Sequence, residues 1–259
     1  MFLKSVLSVL IVSGALALVA LSGACANQDQ GASEGTTGGA IKVVATTTQI
    51  GDFVRRVGGT AVNEHQILQP NSDPHNYEPR PADVEAAAGA RLVFVNGDNL
   101  DSWIDDIVSK SGGNPTVVNL SEGLPERLPG ETTGEEASKY DPHWWHDPRN
   151  AEAAVSEIRD ALVEADPNNR ETYERNADDY VAKIKELDTG IQTCMDKVPE
   201  DERKLVTDHD AFNYFADRYG IEVVGAVIPS QSTQAQPSAG ETADLISLIE
   251  RENVKAIFP

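Results

Sequence analysis

Residues 166–199 read DPNNRETYERNADDYVAKIKELDTGIQTCMDKVP, and the spacing of their apolar positions sets the architecture. Tyr173, Ala177, Tyr180, Ile184, Leu187, Ile191, Cys194 and Val198 recur at steps of three and four with charged residues between them. That is the pattern of one buried stripe along an α-helix. Asp166 followed by Pro167 reads as a helix start, because an Asp side chain caps free N–H groups and proline has no N–H to lose at the first position. Pro199 stops the helix. About 30 residues at 1.5 Å each make a rigid rod of roughly 45 Å, long enough to run from one lobe of a protein to another. Cys194 lies on the stripe and is expected to be a buried small hydrophobe.

On both sides of the rod the chain alternates between strand and helix patterns. Residues 41–46, 91–96 and 116–119 are short β-branched runs, and helices are expected over 47–57 (closed by Gly58 and Gly59), 82–90 and 100–108. After the rod, strands are expected at 204–207, 222–228 and 254–258, with helices at 211–219 and 243–252. This alternation predicts an α/β fold of two lobes, each a parallel sheet with flanking helices, joined by the long helix. The expected divisions are an N-terminal lobe over 41–150, linking helices over 151–199 and a C-terminal lobe over 200–259. The last stops on a strand and is expected to be truncated. Residues 124–140 are acidic and broken by Gly and Pro, and are expected to form a mobile, solvated loop carrying Glu126, Glu131, Glu135 and Glu136.

The first 40 residues follow different rules. Residues 1–24 hold one charge, Lys4, then an apolar run and small residues, which is a signal peptide pattern. Cys25 directly follows Leu21-Ser22-Gly23-Ala24 and resembles the lipid-modified first residue of a bacterial lipoprotein. The stretch 25–40 is rich in Gly, Ser, Thr, Gln and Asn, a flexible tether spanning about 20 Å. With Cys25 lipidated, Cys194 has no partner for a disulfide. The expected location is extracytoplasmic, anchored to the cell membrane.

Composition narrows the partners. There are 42 acidic against 21 basic residues, a net charge of −21. Nucleic acid needs a basic footprint and is excluded as a partner on this balance. A surface of this sign mildly draws cations.

Of five histidines, His75, His143 and His209 stand in loops before helices, where open α/β sheets place their ligands. Neutral imidazole is a common metal ligand, and three of them converging from two lobes would suit zinc. No pair has a diagnostic short metal-ligand interval, so spacing alone leaves convergence open.

Several ordered motifs go further. Asp73-Pro74-His75-Asn76-Tyr77-Glu78-Pro79, then Asp141-Pro142-His143-Trp144-Trp145 with Asp147-Pro148-Arg149-Asn150, and His209-Asp210-Ala211-Phe212-Asn213-Tyr214-Phe215 with Tyr219-Gly220 run along the folded part in this order. Together they resemble the zinc/manganese group of metal-binding solute-binding proteins of bacterial ABC importers (ZnuA/TroA-like). The resemblance implies two lobes around a rigid helix, with a metal ion in the cleft ligated by His75, His143 and His209. It implies a monomer that hands its ion to a membrane permease and catalyses nothing. The resemblance also implies a fourth ligand, an acid late in the second lobe, expected beyond Pro259.

Ligand type points to Zn²⁺, since three imidazoles with a carboxylate suit a borderline-soft ion while Mn²⁺ takes more oxygen ligands. A manganese-specific member, a metal-binding surface adhesin, and a zinc hydrolase using Glu78 or Asp147 as base are the alternatives. His146, Asp208 and Glu78 are accessory candidates around the ligands. Asp141 and Asp73 are further candidates to orient an imidazole, although each also suits a turn. Asp147 is expected to cap the helix that starts at Pro148, and Asp210 the helix after His209. Trp144 and Trp145 are expected to pack, and His65 to lie on the surface.

Overall fold

A computed structural model describes residues 39–134 and 136–258. The signal sequence and Cys25 lie outside the described residues. The first lobe contains β1 (Ile41–Ala45), α1 (Thr48–Gly58), β2 (Val62–Gln66), α2 (Pro81–Gly89), β3 (Leu92–Val95), α3 (Trp103–Ser111) and β4 (Thr116–Asn119). Its strands pair in parallel in the order β2-β1-β3-β4. Helices lie on both faces, so the central β3 is apolar and buried at all four residues, Leu92, Val93, Phe94 and Val95.

Local chemistry explains the helices. Thr47 caps α1 by accepting from the Ile50 N–H, and Ile50, Phe53, Val54 and Val57 supply a buried stripe at helical spacing. That stripe joins Val43, Phe94, Trp144, Val155, Ile158 and Tyr173 in the larger core. Val44, Val93, Ile104 and Ile107 form a second core on the opposite face. Asp147 accepts from the Arg149 N–H and caps α4 (Pro148–Ala165), with Pro148 as the first helical residue.

The rod is α5 (Arg170–Met195), 26 residues long, preceded by a single 3₁₀ turn at Pro167–Asn169. At 1.5 Å per residue it measures about 39 Å. Tyr173, Ala177 and Ile184 are buried, but the stripe then outruns the body it packs on. Leu187 is 58% exposed and Cys194 is also exposed, which corrects the expectation of a buried thiol. At this end Asp188 accepts from Arg218 (2.5 Å) and Tyr219 (2.8 Å) of α6 (Asn213–Tyr219), tying the rod to the second lobe.

The second lobe is a parallel sheet in the order β6-β5-β7, from β5 (Lys204–His209), β6 (Glu222–Ile228) and β7 (Ile257–Phe258), with α6 and α7 (Ala239–Glu252) connecting them. α6 begins two residues later than expected and is not capped by Asp210. The Asp210 N–H is bonded to the Ser230 carbonyl and the Ala211 N–H to the His209 carbonyl, which keeps this stretch turned away from helical geometry. None of the described helices is long and apolar enough to cross a membrane.

Candidate metal centre

The three histidines lie in segments that follow or end parallel strands. His75 is in the loop between β2 and α2, His143 in the segment between β4 and α4, and His209 is the last residue of β5. Their rings meet at centroid separations of 5.5, 5.5 and 5.3 Å. One ring nitrogen from each lies within 4.8 Å of the others, close enough for a single ion. The side chains of His75 and His143 are 1% and 2% exposed, and that of His209 is 16% exposed.

The hydrogen bonds fix how the rings face. The Nδ1 atoms of His75, His143 and His209 lie 2.7, 2.8 and 2.8 Å from carboxylate oxygens of Glu136, Asp141 and Asp208. A carboxylate there makes Nδ1 the protonated, donating nitrogen and leaves Nε2 with its lone pair. All three Nε2 atoms are buried and have no hydrogen-bond partner among the described residues. Buried polar atoms without partners cost roughly 1–3 kcal/mol each, so three in one spot need a compensating ligand. Three aimed lone pairs accept a cation, and burial pushes the His143 imidazole below its ordinary value, keeping it neutral and ready to ligate.

The other candidates are placed as follows. Asp141 is fully buried, accepts from the His143 N–H (2.9 Å) as well as its ring, and takes Asn213 Nδ2 on its other oxygen (3.1 Å). Asp73 bonds the His75 backbone N–H (3.0 Å) and not the ring. Glu78 is exposed and makes no hydrogen bond to the triad, and Asp147 is engaged by Arg149 at 2.6 Å. Neither acid offered as a hydrolytic base is among the carboxylates bonded to the three rings. His146 stands apart, stacked on Phe212 with centroids 4.5 Å apart. Its ring has no hydrogen-bond partner among the described residues, and burial lowers its pKa to about 4. Trp144 is buried and donates to the Asn96 carbonyl, while Trp145 lies edge-on to the His143 ring at 5.4 Å. His65 is not merely superficial, because its Nε2 lies 3.1 Å from the buried Asp83 carboxylate. Asp83 also receives the Tyr77 hydroxyl, which helps hold the loop bearing His75.

Residues 128–134 and 136–141 are partly exposed, as expected, but more ordered than a mobile loop, and Glu135 lies outside the described residues. They fold back as a hairpin in which Gly130 N–H donates to the Lys139 carbonyl (3.1 Å) and Ser138 N–H to that of Glu131 (2.9 Å). A Cβ at Gly130 would lie 2.4 Å from the Ser138 carbonyl oxygen, so this close approach requires glycine. The acids turn inward because they find partners there: Glu136 at His75, and Glu131 at Ser230 and Gln231.

A profile of the periplasmic zinc-uptake complex component A, ZnuA, matches residues 43–259. The manganese-binding lipoprotein MntA of Halalkalibacterium halodurans is 30% identical over 243 residues, covering 94% of this chain and 78% of its own. The manganese ABC transporter substrate-binding lipoprotein PsaA of Streptococcus anginosus is 32% identical over 250 residues, with the same two coverages, 94% and 78%. The solved structure of the periplasmic zinc-binding protein TroA from Treponema pallidum is similar with a TM-score of 0.77 at 31% identity, covering 85% of this chain and 78% of that one.

Proposed function

Because the chain belongs to the periplasmic zinc-uptake complex component A family, we propose that it captures a divalent transition-metal ion outside the cytoplasm and delivers it to the permease of an ABC importer. The observation that carries this reading is the convergence of three buried Nε2 atoms, each backed by a carboxylate on its Nδ1. His75, His143 and His209 are the ligands in this reading, and Asp208 orients His209. The named lipoprotein relatives support an anchor at the cell membrane, with Cys25 as the lipidated residue. The protein acts as a monomer that shuttles its cargo and does not transform it.

The cargo follows the relatives. MntA and PsaA are named for manganese, and this moves the reading from the zinc expected on three imidazoles with a carboxylate to manganese. Zinc is the second reading, supported by the all-nitrogen character of the three donors. Affinity in vitro does not separate the two, because zinc outbinds manganese at most nitrogen sites. Cellular metal content does. Deleting the gene is expected to lower cellular manganese; a fall in zinc alone selects the second reading, and no change in either metal overturns the transport role.

Metal binding should also weaken on acidification, because protons compete for the same Nε2 lone pairs; burial moves the His143 part of this loss below the ordinary imidazole range. Calorimetric titrations at pH 7.5 and 5.5 check this. Equal affinity at both would argue against imidazole ligation.

A further inference from the structure

We infer that Glu136 is a positioning residue for metal capture, and that Glu131 keeps it at His75 by tying its hairpin to the second lobe. The inference rests on His75 being a metal ligand. Two of the three orienting carboxylates are local: Asp141 precedes His143 by two residues and Asp208 precedes His209 by one. Each travels with its histidine. Glu136 is 61 residues from His75, and the covalent chain does nothing to keep them together.

Non-covalent contacts do it instead. The hairpin bonds Gly130–Lys139 and Glu131–Ser138 close the base of the turn that carries Glu136, so the place of that turn follows the place of Glu131. The Glu131 carboxylate accepts from Ser230 Oγ and the Gln231 N–H, both at 2.9 Å, and its own N–H donates to Gln231 Oε1 at 3.2 Å. Gln231 Nε2 adds a bond to the Pro129 carbonyl at 3.3 Å. Ser230 and Gln231 belong to the loop that leaves β6 in the second lobe. The same loop reaches the His75 segment, with Thr233 donating to Asp73 at 2.7 Å and Gln234 donating to the His75 carbonyl. The second lobe thus holds the His75 backbone directly and the His75 ring through the hairpin.

The chemistry gives this arrangement a consequence. With Glu136 in place, the His75 proton sits on Nδ1 and Nε2 is free to ligate. Without it, the ring can take the opposite tautomer or rotate, and the ligand is lost from the set. Separation of the lobes at Glu131 then loosens the ion, and by reciprocity a bound ion strengthens the lobe contact.

The test is a set of dissociation constants for Zn²⁺ alone and Mn²⁺ alone on the full chain, measured against a competing chelator. Glu136→Ala is expected to weaken binding by about 10- to 100-fold, as loss of an orienting partner does, while Glu136→Gln, whose carbonyl still accepts from Nδ1–H, loses only about threefold. Glu131→Ala touches no histidine and is expected to weaken binding by about tenfold, with the double alanine variant no weaker than Glu136→Ala alone. Glu126→Ala, an acid of the same segment whose side chain faces Arg149 and bonds neither a histidine nor the hairpin acids, should leave affinity unchanged. An unchanged constant in Glu131→Ala, or full additivity in the double variant, overturns the inference. Should Glu131→Ala fail to fold, the combined Ser230→Ala and Gln231→Ala variant removes every side-chain bond that the other lobe makes to Pro129 and Glu131 and decides the question. The unsubstituted chain is titrated first: absence of metal binding there removes the underlying reading, whereas binding with unaffected variants removes only this one.

Discussion

Replacing His209 by alanine is expected to weaken metal binding by two to three powers of ten while leaving the metal-free fold nearly as stable as before. The first half follows from the donor set. A transition-metal site of about 10–16 kcal/mol spread over about four donors assigns roughly 3–4 kcal/mol to each, which is about 10²–10³ in affinity. The second half follows from where His209 sits. It is the least buried of the three, and its partner Asp208 is 48% exposed, so water replaces the hydrogen bond that the substitution removes. His143 would be a poorer probe, because its partner Asp141 is fully buried and would lose a donor. The variant also deletes one of three unpartnered nitrogens, which offsets part of the packing lost. Competition titrations give the first quantity and chemical denaturation without metal gives the second. Affinity retained within tenfold would sink the triad as the metal site.

The second large effect concerns acid stability and the histidine outside the triad. His146 titrates near 6.5 in an unfolded chain but only at about 4 in the folded one, because burial against Phe212 and Trp145 disfavours its charged form. Between those two values the unfolded state holds the extra proton. Its contribution therefore costs nothing above pH 6.5, destabilises increasingly as pH falls to 4, and is constant below that. The full difference is about 3 kcal/mol. His146→Phe keeps the stacking and removes the titration. The stability of the native sequence minus that of the variant should therefore drop by about this amount from pH 7 to pH 4. Subtracting the two curves isolates this group from other titrating residues. Parallel curves would refute the assignment, and metal affinity near neutral pH should stay within about twofold, since His146 makes no contact with the Nε2 cluster.

These two histidines also mark where sequence reading succeeds and where it stops. The place of His209 beside a strand end was legible, since the expected strand 204–207 stops two residues before it and the observed β5 ends on it, while its role as a ligand came only from the ordered motifs. Asp73, Asp141 and Asp208 were equal candidates to orient a ring or form a turn, because each sits one or two residues before a histidine; only Asp141 and Asp208 reach the rings, while Asp73 bonds the His75 backbone. Glu136 was not legible, since nothing in a Gly- and Pro-broken acidic stretch indicates a partner 61 residues away. β2 was missed for a different reason. Its residues Val62, Asn63, Glu64, His65 and Gln66 form an edge strand with little apolar pattern, held by parallel pairing to β1 and not by burial of both faces. Cys194 misled because periodicity reports which face of a helix is apolar, not how far the neighbouring body extends beneath it.

The edge-on contact between Trp145 and His143 has a practical side. The protein has three tryptophans, and this indole lies 5.4 Å from one of the converging imidazoles. Its emission is therefore an internal optical gauge of whatever the imidazoles hold. An ion ligated by His143 changes the charge beside that indole, so emission is expected to shift on metal binding, and Trp145→Phe is expected to remove the shift.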